Sequence, residues 1–205
     1  MIGLVKSQVN KARFWWWNYQ KRRWWAQLRR QGMHLGKGVN LPRSTWIDMA
    51  HCFLISIGDH CGFGDSCALL AHDAMPNEYI DATRIGRIVI HESCHFGMRT
   101  VILPGVEIGP RSIVGANSVV IGNIPPNSVA GGNPAKVICS MDDFLNKHLE
   151  TMKSVPNFPY MEYSTQFLTE DKRQEMLTKL ANSVGYITGG YTAMTTQSEG
   201  LSLTD

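Results

Sequence analysis

An aliphatic or aromatic residue returns at every sixth position from Ile90 onward: Ile90, Phe96, Ile102, Ile108, Val114 and Val120. An α-helix repeats about every 3.6 residues and a strand every two, so neither produces a period of six. Short fixed repeats of this kind mark a β-solenoid, in which each repeat forms one edge and like edges stack. The pattern extends upstream through Leu35, Leu41, Ile47 and Phe53, then, after a slip of two residues, through Ile57, Phe63 and Leu69. The next residue is often glycine: Gly36, Gly58, Gly64, Gly97, Gly109 and Gly115. Four places after the repeat residue stands a small or β-branched one: Val39, Thr45, Cys61, Cys67, Cys94, Thr100, Val106, Ser112 and Ser118. The spacing predicts a corner every six residues. A large side chain fills the interior there, glycine permits the backbone to turn, and a smaller side chain points inward along the edge. Three edges make one triangular turn, so residues eighteen apart are expected to stack: Ile90 on Ile108, Phe96 on Val114, Ile102 on Val120. Six consecutive matches argue against the alternative, a β-sandwich with accidental spacing.

The chain of 205 residues has the size of one domain with appendages. No run of about eighteen apolar residues predicts a spanning helix. The N-terminus does not read as a secretory signal, and a cytoplasmic setting is expected. Five cysteines include no pair spaced two residues apart as in metal knuckles. Cys61, Cys67 and Cys94 occupy the small inward slot, where cysteine acts as a small hydrophobe, so a reduced, disulfide-free chain is expected.

Three segments are expected. Residues 1–34 hold eight Lys or Arg and no acid, while the rest carries twelve basic against seventeen acidic residues. Phe14-Trp15-Trp16-Trp17, Tyr19 and Trp24-Trp25 are interleaved with those cations, and no proline interrupts a helix. Phe14, Trp17, Trp24 and Leu28 share one helical stripe, with Lys21 intruding. Such a helix packs against other chains or lies at a membrane interface as a peripheral contact. Single-stranded nucleic acid is a third possible partner, but a solenoid with an acidic remainder offers its backbone no groove, so no nucleic acid is expected. Residues 35–140 form the solenoid, interrupted between Leu69 and Ile90, where polar residues 74–84 read as a loop thrown out of the coil. Residues 141–205 form a C-terminal extension with helices over 141–153 and 169–182. Thr169 caps the second, and a Gly/Thr/Ser-rich tail from Gly189 is expected to be mobile.

His72 stands at the lip of the expelled loop. A histidine there is a candidate general base, because its free pKa lies near neutrality. The plain alternative is a surface histidine beside an exposed Asp73.

Several runs together resemble the hexapeptide-repeat acyltransferases. They are Ile85–Ile90, Phe96–Val106 and Val114–Val120, with the closing Ile124-Pro125-Pro126-Asn127-Ser128-Val129-Ala130-Gly131-Gly132-Asn133-Pro134-Ala135-Lys136. Within that superfamily the Ala71-His72-Asp73-Ala74 box and the C-terminal helices resemble sugar O-acetyltransferases of surface-polysaccharide pathways. Maltose, galactoside and xenobiotic acetyltransferases are related. The resemblance implies an all-β solenoid, a left-handed parallel β-helix of hexapeptide repeats with an N-terminal helix and C-terminal helices. It implies a homotrimer with active sites between subunits, acetyl-CoA as co-substrate and a sugar-type small-molecule acceptor. In such enzymes the histidine matching His72 deprotonates the acceptor hydroxyl, with Asp73 a candidate to orient its ring. Positions that meet the CoA arm map onto Met98, Ala116, Ile121 and Gly122, and Lys136 matches a cation near the nucleotide phosphates. This chain has Ile121-Gly122-Asn123 where relatives carry Thr-Lys-Asp, so one phosphate-side cation is missing.

Two alternatives stay open. One keeps the chemistry and acetylates a xenobiotic or an amino-sugar nitrogen. The other is a γ-type carbonic anhydrase-like hydratase, with zinc held by three histidines between subunits. His72, His91 and His95 could nominally supply them, but His91 and His95 lie four apart where that family has five. No metal is therefore expected. A trimeric scaffold without activity is a further possibility.

Overall fold

In the computed structural model, residues 16 and 19–190 are described, and they fall into two compact units divided between Phe144 and Leu145. The first unit opens with helix α1 over residues 19–30. Strands β1 (His34–Leu35), β2 (Trp46–Ile47), β3 (Ile55–Ile57), β4 (Gly62–Phe63) and β5 (Ala68–Leu69) follow. An excursion then runs from β6 (His72–Asp73) through the helical turn α2 (Asn77–Ile80) to β7 (Arg84–Ile85). Next come β8 (Ile88–Ile90), β9 (His95–Phe96), β10 (Val101–Ile102) and β11 (Glu107–Ile108). After them stand β12 (Ile113–Val114), β13 (Val119–Val120), β14 (Ser128–Gly131) and β15 (Lys136–Ser140).

These strands visit three parallel sheets in rotation. The first contains β1, β3, β8 and β11, the second β4, β9, β12 and β14, and the third β2, β5, β10 and β13. The expected eighteen-residue stacking is present: Ile90 pairs with Ile108, Phe96 with Val114, and Ile102 with Val120. Upstream the offset grows. Leu35 pairs with Ile57 and Ile47 with Leu69, twenty-two apart, because residues 48–54 add a bend and a 3-10 turn. Ile57 pairs with Ile90 and Phe63 with Phe96, thirty-three apart, because the β6–β7 excursion lies between them. Phe53 is therefore not a repeat residue. It sits in that 3-10 turn, 58% exposed, while Ile55 and Ile57 enter the core.

The interior is a ladder of stacked side chains, with Phe63 and Phe96 4.5 Å apart and nearly parallel. All nine residues of the small slot are buried. For several of them the role exceeds filling. The thiols of Cys61, Cys67 and Cys94 donate to the carbonyls of His91, Gly97 and Gly109 at 3.0–3.3 Å, and Ser118 donates to the Gly115 carbonyl at 2.7 Å. Where the slot residue is a cysteine or Ser118 it thus also satisfies a corner carbonyl, whereas Val39 and Val106 only fill space.

Glycine serves these corners through close approach, not through an unusual dihedral. A Cβ at Gly58 would lie 2.7 Å from the Glu92 backbone nitrogen on the next turn, and one at Gly97 would overlap the Ala116 backbone. The left-handed residue comes two places later and is rarely glycine: Ser93, Arg99, Arg111 and Asn117 have φ of 55–59°. That conformation costs energy in L-residues. Here each N–H is anchored to the neighbouring turn, as where Asn117 donates to the Met98 carbonyl at 2.9 Å and Arg99 to that of Asp65.

α1 packs on its own chain. Leu28 is fully buried, Trp24 and Trp25 are partly buried against the same core, and the Trp25 indole N–H donates to the Leu41 carbonyl at 3.2 Å. The intruding Lys21 lies over the Trp25 ring and bonds the Asn40 side chain at 2.9 Å. Phe14, Trp15 and Trp17 lie outside the described residues, and Trp16 is 58% exposed. Among the described residues no helix is long and apolar enough to cross a membrane.

Helix α3 (Met141–Met152) starts where expected. In the second unit β16 (Asn157–Pro159) pairs in parallel with β17 (Tyr186–Thr188) around buried Phe158, and α4 (Tyr160–Tyr163) follows β16 directly. Thr169 caps α5 (Glu170–Lys179) by accepting from the Lys172 N–H at 3.4 Å, as its sequence predicts. The tail beyond residue 190 lies outside the described residues.

Candidate active site

His72 leaves the coil three residues after the end of the third-sheet strand β5, on the first strand of the antiparallel β6–β7 pair. Buried Ala71 anchors this exit by accepting from the Gly86 N–H at 3.0 Å. One turn away, the β2 strand of the same sheet also ends in an irregular stretch. Its first residue, Asp48, donates its N–H to the Leu69 carbonyl at 3.1 Å. Register therefore places Asp48 beside the His72 exit although twenty-four residues separate them.

The Asp48 carboxylate is 1% exposed and faces two imidazoles. Its Oδ2 accepts from Nδ1 of His72 at 2.5 Å and from Nδ1 of His51 at 3.2 Å, while Oδ1 accepts from the His51 backbone N–H at 3.3 Å. The two rings lie 4.9 Å apart. Burial by itself would raise the Asp48 carboxyl. The hydrogen bond from His72, the two histidine charges and the His51 N–H outweigh it and hold the group below the usual carboxylate range. An ionised carboxylate only accepts, so both rings carry their proton on Nδ1 toward Asp48. In the neutral ring Nε2 of His72 then keeps a free lone pair, and the side chain is about a third exposed. That is the arrangement a general base needs: an oriented ring, a fixed tautomer and access to solvent.

The sequence offers Asp73 as the carboxylate to orient the ring. In the structure the carboxylate that bonds the His72 ring is Asp48, because neighbouring strand residues project to opposite faces. Asp73 Oδ1 accepts from the Met75 N–H at 3.0 Å and so closes the turn that begins the excursion. His51 and Asp48 escaped the sequence reading. The one local signal was the slip of two residues between Phe53 and Ile57, which announces that the repeat is interrupted nearby.

The remaining positions separate into two columns. Met98 and Ala116 are exposed and follow β9 and β12 at the corner after the second sheet, where Asn117 bonds Met98 across successive turns. Lys136 joins this column, because β15 pairs antiparallel with β14 and sets Lys136 opposite Gly131. Ile121 (54% exposed) and Gly122 follow β13 at the corner after the third sheet, the one that also carries Asp48 and the exit to His72. A Cβ at Gly122 would meet nothing within 4 Å. One chain thus presents the histidine and the Lys136 column on different corners.

Within one chain the three histidines of the hydratase reading do not gather. His91 Nε2 is paired with Glu107 at 2.8 Å, and His95 lies on β9 beside Gly62. Among the described residues the donors close enough to hold a metal ion are Asp48, His51 and His72, whose ligand atoms lie within 4.8 Å of one another.

Comparison with known proteins places this geometry in a family. The model of the bacterial transferase hexapeptide (six repeats) matches residues 87–122. CapG of Staphylococcus aureus is 31% identical over 153 residues, covering 71% of this chain and 88% of that protein. The candidate acetyltransferase YvoF of Bacillus subtilis is 32% identical over 111 residues, which cover 54% of this chain and 62% of YvoF, less than two thirds of its length. Among solved structures, the hexapeptide-repeat-containing acetyltransferase VCA0836 of Vibrio cholerae is 27% identical, with a TM-score of 0.47, over 57% of this chain and 78% of that one. With a repeat whose every sixth residue lines the core and a relative matched along most of both chains, this protein belongs to the bacterial hexapeptide-repeat transferases.

Proposed function

We propose that this protein transfers an acetyl group from acetyl-CoA to a hydroxyl of a sugar-type acceptor, with His72 as general base and Asp48 as the residue that positions it. The observation that carries the reading is the buried Asp48 carboxylate fixing Nδ1 of His72 at 2.5 Å. Nε2 of His72 takes the hydroxyl proton as the acceptor oxygen attacks the thioester carbonyl carbon. The tetrahedral oxyanion collapses, the C–S bond breaks, and the imidazolium returns its proton to the CoA sulfur. The products are an acetyl ester and free CoA thiol. Asp48 stabilises the imidazolium and keeps Nε2 aimed outward.

The co-substrate is inferred from the family and from the exposed column of Met98, Ala116 and Lys136, where small corners leave room for an extended arm. The acceptor class rests on the likeness of the box at residues 71–74 and of the C-terminal helices to sugar O-acetyltransferases. We read the three sheets as a left-handed β-helix and the working enzyme as a homotrimer. The two separate columns support this reading, because a neighbouring copy could set one chain's Lys136 column beside the next chain's His72. The location is read as cytoplasmic, with residues 1–34 touching the inner membrane surface through side chains such as exposed Trp16.

The test is release of CoA thiol from acetyl-CoA across a panel of sugar acceptors. His72→Ala is expected to lower kcat by about 10²–10⁴, the usual worth of a positioned base. Activity in that variant equal to the parent protein would sink the assignment.

A further inference from the structure

We propose that a phosphate-bearing anion binds in the cleft between α1 and the turn that carries Arg43, held by the guanidiniums of Arg23, Arg30 and Arg43. Gln20, Arg23, Trp24, Gln27 and Arg30 follow the spacing of one helical face. Together with Arg43, which arrives from the segment between β1 and β2, they line a cavity of about 270 Å³. Three cations and two carboxamides face this space, and among the described residues no carboxylate does.

Like charges converge on one cavity at an energetic cost unless something neutralises them. Among the described residues nothing supplies the counter-charge. Arg23 lies over the Tyr19 ring at 5.8 Å, and the Arg30 and Arg43 side chains make no ion pair among the described residues. Residues 1–34 contain no acid, so the rest of that segment has none to offer. The ligand chemistry follows from the donors. A guanidinium presents a planar fork of N–H groups matched to pairs of phosphate oxygens, and three forks suit a group with several anionic oxygens better than a single carboxylate. Gln20 and Gln27 add neutral donors, and half-buried Trp24 provides an apolar wall. Such a phosphate could belong to a lipid headgroup or to a soluble phosphate ester. The site lies outside the proposed transfer machinery and does not depend on it.

The experiment uses the full chain, with inorganic pyrophosphate titrated calorimetrically and vesicles of phosphatidylglycerol in phosphatidylcholine sedimented in parallel. Pyrophosphate affinity is expected to fall about tenfold in Arg30→Gln and again in Arg43→Gln, the worth of one charged hydrogen-bonding group each. Arg22→Gln, an exposed arginine on the same helix but outside the cavity, is expected to change it little. Arg30→Lys keeps the charge, loses the fork and should still weaken binding. Pyrophosphate binding without vesicle binding assigns a soluble ligand. Sedimentation that needs Arg30 and Arg43 and is relieved by pyrophosphate assigns a headgroup. The proposal fails if neither probe binds, or if Arg22→Gln weakens binding as much as Arg30→Gln, which would mean diffuse surface charge. Acetyl-CoA binding is expected to be unchanged in all these variants, which separates this outcome from failure of the transfer reading.

Discussion

Residues 88–120 and residues 48–87 are built on the same repeat, yet they behave as opposites. In the first stretch every turn takes eighteen residues, and each large side chain lands on its equivalent. In the second the chain twice leaves the coil, once after β2 and once after β5, from neighbouring strands of one sheet. The regular stretch yields a core and little chemistry. The two departures share an edge, and the carboxylate from one meets the imidazole from the other. The proposed active site sits where the repeat is broken twice in the same place, because a rigid ladder fixes the roots of both excursions while leaving their side chains free to face each other.

This contrast can be tested at its core. Ile108 is fully buried in the regular stack, whereas Ile80 at the tip of the excursion is 69% exposed. Ile108→Ala is expected to cost about 2–5 kcal/mol in denaturant unfolding, and Ile80→Ala within about 0.5 kcal/mol. Equal costs would mean that the excursion is as tightly packed as the ladder. A smaller effect is expected at the corners. Gly97→Ala forces a Cβ into the Ala116 backbone, which cannot give way as a flexible side chain could, and should lose about 1–3 kcal/mol. Gly122→Ala enters open space and is expected to leave thermal stability nearly unchanged. If both were silent, the close-approach account of the corner glycines would be wrong.

The smallest expected effect concerns acid. Asp48 is held below its ordinary value of 3.8, so its ionised form stabilises the folded state. That contribution is fully present above pH of about 4 and is lost as pH falls through the lowered folded value. Asp48→Asn should flatten this part of the pH–stability curve, so that the gap to the parent protein narrows toward acid in thermal melts. A gap independent of pH would show that the carboxylate is not ionised in the folded protein.

Much of the coil was legible because each hexad is local. The large residue, its glycine and its small partner lie within five positions, and repetition supplies the stacking. Phe53 misled because it keeps the spacing while the chain has already left the repeat; only Ile55 and Ile57, which re-enter the core, show where the count resumes. His72 was legible as the titratable residue at a visible break. Its partners were not, since an orienting carboxylate was sought next door at Asp73, and strand alternation sends that side chain to its own turn. The stripe on α1 was half legible. Its apolar residues announced burial, but the surface that Trp24 and Leu28 cover is the chain's own core, which the helix wheel cannot name.

The period of six, the inward slot and the place of the excursion were determined by sequence alone, because they follow from side-chain size and backbone sterics over a few residues. The meeting of Asp48, His51 and His72, and the gathering of Arg23, Arg30 and Arg43, were decided only by tertiary structure. The first depends on how far apart the stacked turns are in sequence, which is set by the lengths of the excursions and appears only when parallel pairing closes the ladder. The second depends on α1 lying against the turn that carries Arg43, which the spacing of cations on the helix does not reveal.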